Sequence, residues 1–370
     1  RVVREGSKPG TFRLPGSETD VEIGGYIKTD FIYDADESTG DLFVPEAISV
    51  GDNDDEERFR AHARQSRLFL KTATPTEWGP LTTHLEGDFF GGGGNEVFSN
   101  SFDFRLRHAV ATIGGLTVGQ TSSNFMPIES YPATVDFNGP AGIPFIRQAQ
   151  LRYTMPFGEK LTLSGSLENS ELSARDETGA SISESINLGI RAGVDVAPDV
   201  TAAATWRDDW GLVKLAGVGR LLGAPGGGDD EFGYGLNLSG NAGLWEGGKL
   251  MGSLTYGDGV GRYLINGFGQ DAFLDASGEL DTIEAFGFTA AIRQEVTEEI
   301  ALGLAYGRSQ FEDSVRDDDL KAVDTVHVSL FWTPIDRLGF GAEAIWGRRE
   351  NAGGHSDDAI RLQTAVQVNF

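Results

Sequence analysis

Apolar and polar residues take turns along most of the chain. In the last segment Leu362, Thr364, Val366, Val368 and Phe370 share one face, while Arg361, Gln363, Ala365, Gln367 and Asn369 share the other. A period of two predicts a strand with one apolar and one polar side. The same period sets Val21, Ile23, Ile27 and Phe31 against Glu22, Tyr26, Lys28 and Asp30. It sets Leu81, Leu85 and Phe89 against Thr82, His84, Glu86 and Asp88. It places Phe102, Phe104, Leu106 and Val110 on the apolar side, opposite Asp103, Arg105, Arg107 and Ala109. No long segment favours helical spacing, and 287–305 reads as a hairpin about Thr297–Glu299.

The connections alternate in kind. Short turns are expected near Trp78–Pro80, Gly114–Gly115, Pro156–Lys160, Asp208–Gly211, Glu246–Gly248, Thr297–Glu299 and Pro334–Arg337. Longer glycine-rich or acidic loops fall near 35–57, 91–100, 122–145, 169–198, 223–231, 258–279, 311–322 and 350–358. Tight turns at one end and long loops at the other are the mark of a transmembrane antiparallel β-barrel. These connections join about sixteen strands, an even number that puts both chain ends on the periplasmic side. So many strands in one soluble sheet would be unusual. Trp78, Trp206, Trp210, Trp245, Phe331 and Trp332 lie close to the short turns, where a membrane–water girdle of rings is expected. Residues 1–18 lack the alternation and read as a periplasmic lead-in, leaving 19–370 as one all-β barrel domain.

Composition changes this picture only at the margins. The formal net charge of −26 excludes general nucleic-acid binding. The absence of cysteine removes disulfides and thiolate metal sites. No stretch approaches the roughly 18 apolar residues of a helical span, but barrel strands are apolar only at alternate positions. Arg1 to Gly10 lacks the apolar core of a signal peptide, so the expectation is a processed or trimmed chain. The place of such a barrel is the bacterial outer membrane, among lipid and lipopolysaccharide.

The informative chemistry is basic residues on polar faces. Arg105 and Arg107 share one strand, and Arg67 and Lys71 another; Arg152, Lys214, Arg220 and Arg361 also fall on polar faces. The facing of Arg147 and Arg262 is open. A planar, always charged guanidinium meets a carboxylate with two parallel hydrogen bonds. Such groups lining a narrow pore favour small anions. The competing reading is that lumen carboxylates such as Glu86 and Asp88 neutralise them. The loop at 122–145, stiffened by Pro127, Pro132, Pro140 and Pro144, is the expected inward-folded constriction, with Glu129, Tyr131 and Asp136 at the opening.

His84, Glu86 and Asp88 resemble metal ligands in type, but alternate strand residues stand about 6.6–6.8 Å apart, too far for three to meet one ion. No histidine sits beside a nucleophile and an orienting group, so no enzyme is expected. The acidic run containing Asp52, Asp54 and Asp55 suits structural Ca²⁺ or Mg²⁺, bridging to lipopolysaccharide or between subunits, or is simply solvated. No other cofactor is implied.

Several runs resemble the DcaP-like family of outer-membrane porins: Gly25–Asp34 (GYIKTDFIYD), Arg64–Lys71 (RQSRLFLK) with Thr74–Glu77 (TPTE), Gly115–Phe125 (GLTVGQTSSNF), Gln148–Thr154 (QAQLRYT), Asp209–Gly211 (DWG), Thr255–Tyr263 (TYGDGVGRY) and Trp346–Asn351 (WGRREN). The resemblance implies a homotrimeric barrel passing small anions, with dicarboxylates as the typical solutes. It also implies an N-terminal coiled coil in some members; no heptad stretch precedes Val21, so that element is expected to be absent or removed. The alternatives are a general or cation-preferring diffusion porin, which the net charge of −26 keeps open although the lumen charge and not the total decides it, and a structural or adhesive barrel using its outer loops.

Overall fold

The computed structural model describes residues 3–51, 57–95, 99–182, 194–195, 197–224, 228–312 and 315–370. Sixteen long strands close into one antiparallel ring. They are β1 (Asp20–Asp34), β2 (Arg58–His62 and Arg67–Thr74), β3 (Leu81–Asp88), β4 (Arg105–Ile113), β5 (Leu116–Ser122), β6 (Arg147–Phe157), β7 (Leu161–Glu168) and β8 (Asp199–Asp208). The ring continues with β9 (Gly211–Gly223), β10 (Glu231–Trp245), β11 (Gly248–Asp258), β12 (Glu284–Glu295), β13 (Ile300–Phe311), β14 (Leu320–Ile335), β15 (Leu338–Asn351) and β16 (Ser356–Asn369). Each pairs with its neighbour in sequence, and β16 closes on β1 with Arg361 opposite Asp34 and Val368 opposite Ile27. The terminal residue joins the seam: Phe370 N donates to Gly25 O and Gly25 N to Phe370 O. Closure leaves no free strand edge, which is what lets a sheet stand in lipid.

The alternation resolves into an outer and an inner face. On β16 Leu362 is 51% exposed while its neighbour Arg361 is wholly buried. All seven predicted turns separate adjacent strands at one end of the barrel. Beside them Trp78, Trp206, Trp210, Trp245 and Trp332 are exposed. Phe331 departs from this group. It lies on the inner side of β14 between Leu330 and Trp332, its ring under the Arg293 guanidinium.

One strand departs from strict alternation. Opposite Glu86 and Gly87, β4 carries an extra residue, so that Glu86 faces His108 and Gly87 faces Leu106. A bulge moves all later side chains to the other face. Arg107 and His108 therefore both reach the carboxylate of Glu86. Ala109, beside the outward Leu85, turns to the outer surface, and Val110, beside His84, turns inward. That is the reverse of the uninterrupted pattern.

The segment preceding β1 forms short strands Arg4–Glu5 and Phe12–Arg13, the second paired with Asp20 and Val21 at the short-turn end. The long connections do not all remain outside. The connection from β11 to β12 folds in with Tyr263 fully buried. Tyr263, Val260 and Leu264 pack with Phe125, Val218 and Phe311 in the largest apolar cluster. Phe43 and Ile48 of the β1–β2 connection pack on Ile345 and Ala359.

Candidate functional site

Residues 123–146 run inside the barrel along one side of the wall. Lys214 on β9 donates to Asn124 O and Met126 O, both at 2.8 Å. Asn241 on β10 donates to Glu129 O. Further along, Glu343 on β15 accepts from Val135 N at 2.7 Å and Asp136 N at 3.2 Å. Lys28 on β1 donates to Val135 O. Ala141 N and Gly142 N donate to the hydroxyls of Thr325 and Ser309, and Thr289 returns a bond to Ala141 O. The strand residues in these bonds sit on inner faces, so the loop is stitched to the wall from β9 round to β1. Hydroxyls and carboxylates at period two satisfy a loop backbone that would otherwise be buried unpaired.

The inner faces of β2 to β6 border the remaining space. There Lys71, His84 and Arg105 are partly exposed. Arg105 makes a two-pronged bond to Asp88 at 2.9 and 2.8 Å. Arg107 bonds Glu86 at 2.8 Å and Asp88 at 3.0 Å. Arg67 approaches Glu86 at 3.4 Å, and Lys71 approaches Glu22 at 3.6 Å. Arg147 lies within electrostatic reach of Arg67, Arg105, Arg107 and Asp88. Its guanidinium stacks 4.8 Å from the Phe145 ring and meets no carboxylate among the described residues. Three guanidiniums thus share two carboxylates and a fourth, Arg147, stands beside them, leaving a positive excess on this wall. Arg152, further down β6, bonds Ser122 O and Gln150 rather than an acid.

Other basic positions have different work. Arg220 and Arg361 were expected to line the path, but both are fully buried. Arg220 is held between Asp199 at 3.1 Å and Asp271 at 2.9 Å. Arg361 clasps Asp34 at 2.6 and 3.1 Å and lies 3.9 Å from Asp136. Paired and dehydrated, they hold strands and loops together instead of meeting solutes. Arg262, on the inward connection from β11, donates to Gln148 at 2.8 Å and stands 3.8 Å from Asp199.

The loop acids likewise serve as anchors. Asp136 is buried, accepts from Phe43 N at 3.0 Å, and does not face the Arg105–Arg107 wall. Burial pushes its carboxyl above the ordinary aspartate range, against the downward pull of Arg361. Glu129 forms a two-pronged pair with Arg207 at 2.7 and 2.5 Å. The Tyr131 hydroxyl donates to Pro144 O. Asp52, Asp54 and Asp55 lie outside the described residues. Sequence reasoning missed Arg60 and Arg64, which share Asp41 at 2.7 and 2.6 Å. Arg64 sits in the break of β2, where period-two reading has no purchase. Burial raises the Asp41 carboxyl, but Arg64 and Arg60 outweigh it and hold the group below its ordinary value.

A profile of the DcaP outer membrane protein family matches residues 11–202. The chain belongs to that family. Among curated proteins none matches the sequence. The outer membrane channel DcaP of Acinetobacter baumannii superposes over the whole of both chains with a TM-score of 0.83 at 20% identity. An anion-selective porin from Comamonas acidovorans covers 95% of this chain and 100% of its own, with a TM-score of 0.60 at 13% identity. OmpT of Vibrio cholerae, in a trimer form, covers 95% and 99% with a TM-score of 0.60 at 10% identity. This DcaP-family protein is an outer-membrane porin of the bacterial envelope.

Proposed function

We propose that the porin passes small anions, dicarboxylates above all, along the β2–β6 wall. The observation that carries this reading is the guanidinium cluster of Arg67, Arg105, Arg107 and Arg147 around only Glu86 and Asp88, with Arg147 lacking an acid partner. The inward loop narrows the lumen against that wall, so a solute travels close to the excess charge. A dianion matches it better than a monoanion, because two carboxylates can each take a guanidinium edge. Arg152, bonded to Ser122 O and Gln150 rather than to an acid, extends the basic lining down β6.

We also infer a homotrimer. Its support is family membership, together with a patch on the outer surface of β3–β5 where Thr83, Ala109, Ala111 and Gln120 lie side by side among larger neighbours such as Leu85 and Val118. Small side chains let barrels approach closely.

The test is the reversal potential of single channels in a potassium chloride gradient. The wild type should prefer chloride. Arg147→Gln should reduce that preference by on the order of fivefold, the effect of one unit charge at about 4 Å in a watery medium. A wild-type potential of the opposite sign would establish a cation-preferring porin and end the anion reading.

A further inference from the structure

Three phenylalanines from two chain segments, the end of β3 and the inward loop, meet beside the guanidinium cluster. Phe90 follows β3, Phe137 belongs to the inward loop, and Phe145 precedes β6. Phe137 lies 5.2 Å from Phe90 and 6.4 Å from Phe145, ring centre to ring centre. Each ring carries cations. Arg105 lies 5.4 Å from both Phe90 and Phe137, Arg107 lies 5.3 Å from Phe137, and Arg147 lies 4.8 Å from Phe145. All three rings remain partly exposed. A water-filled lumen built only for small hydrophilic ions has no need of a continuous run of accessible phenyl surface.

We propose that this run is a binding subsite for the flat apolar body of an aromatic carboxylate, with Phe137 as its specificity-determining residue. The carboxylate meets the free edge of Arg147 or Arg105, and the ring of the solute packs edge-to-face or offset against Phe137 and a neighbour. Aromatic pairs favour those arrangements at centroid separations of roughly 4.5–7 Å. Guanidiniums already stacked on the rings have their donor edges turned away from the ring faces, so charge and apolar surface are offered side by side. The inference rests on the anion-path reading and adds a preference for the solute's body.

The experiment compares two dianions with the same three-carbon separation of carboxylates, benzene-1,3-dicarboxylate and pentanedioate. Apparent binding constants come from solute-induced fluctuations of the current through single channels. In the wild type the aromatic diacid should bind about fivefold tighter, the order expected of one aromatic pair. Phe137→Leu keeps apolar volume and removes the ring, and should bring the ratio close to one; Phe137→Ala should do the same. Equal binding of the two diacids by the wild type would overturn the proposal. So would a variant that weakens both diacids equally and keeps their ratio, because the ring would then only position the arginines. Failure of the anion reading shows separately, as a chloride–potassium reversal potential without anion preference. If Phe137→Ala fails to assemble, Phe137→Leu and the wild-type ratio still decide the matter.

Discussion

At the scale of single residues, similar arginines do opposite work according to their acids. Among the described residues Arg105 and Arg107 are the only cations within ion-pair distance of Asp88, and Arg107 shares Glu86 with Arg67. Replacing both with alanine removes the positive excess and strands a buried aspartate. Reversal-potential measurements should therefore show anion preference lost altogether in that double variant, beyond the partial loss in Arg147→Gln. Arg361 makes a contrasting case. Its guanidinium is buried with Asp34 and reaches Asp136, so Arg361→Met leaves two buried acids uncompensated. Breaking such a pair costs about 3–5 kcal/mol. The expected result is a lower unfolding temperature in detergent. An unshifted temperature would mean that the pair does not secure the seam between β16 and β1.

At the scale of elements, strands were legible and the inward packing of the connections carrying Tyr263 and Phe43 was not. Period-two patterning and turn chemistry located all sixteen strands, because lipid on one side and water or polar protein on the other impose the alternation. The pattern failed at the β4 bulge, since one extra residue leaves no local mark yet reverses Ala109 and Val110. It also misjudged Arg220 and Arg361, whose polar facing was right but whose burial depends on carboxylates far away in sequence. The inward connection carrying Tyr263 had one signal, the large apolar residues Val260, Tyr263, Leu264 and Ile265 close together, which a solvated loop would not need. The β1–β2 connection offers a pH test. Asp41 is held below its ordinary value of 3.8, so its stabilising bonds to Arg60 and Arg64 are complete above that pH and are lost as the pH falls below it. Protease cleavage within 35–57 should accelerate below about pH 3.8 and stay constant between pH 5 and 8. Constant cleavage through the acid range would show that the Asp41 bonds do not secure this connection, leaving contacts such as Phe43 and Ile48 on Ile345 and Ala359 to hold it.

At the scale of the whole molecule, the ring is symmetric in construction and lopsided in use. Strands from β9 round to β1 hold the loop, while β2 to β6 carry the cluster of Arg67, Arg105, Arg107 and Arg147. Chemical crosslinking in mild detergent should give a trimer, with Gln120→Arg shifting the population toward monomer if the β3–β5 surface is the contact. A dispersed monomer in the unaltered protein would remove that arrangement. The lopsidedness also bears on how such a porin can diversify. The wall proposed to meet solutes is drawn from the strands of one stretch, Arg58 to Phe157, and the buried pairs of Arg220 and Arg361 lie outside those strands. Substitutions on the inner faces of those strands make less demand on the scaffold than changes in the inward loop between them, which is bonded to β9 round to β1. Solute preference is in this sense a replaceable lining, and substitution on the inner faces of those strands is enough to change it.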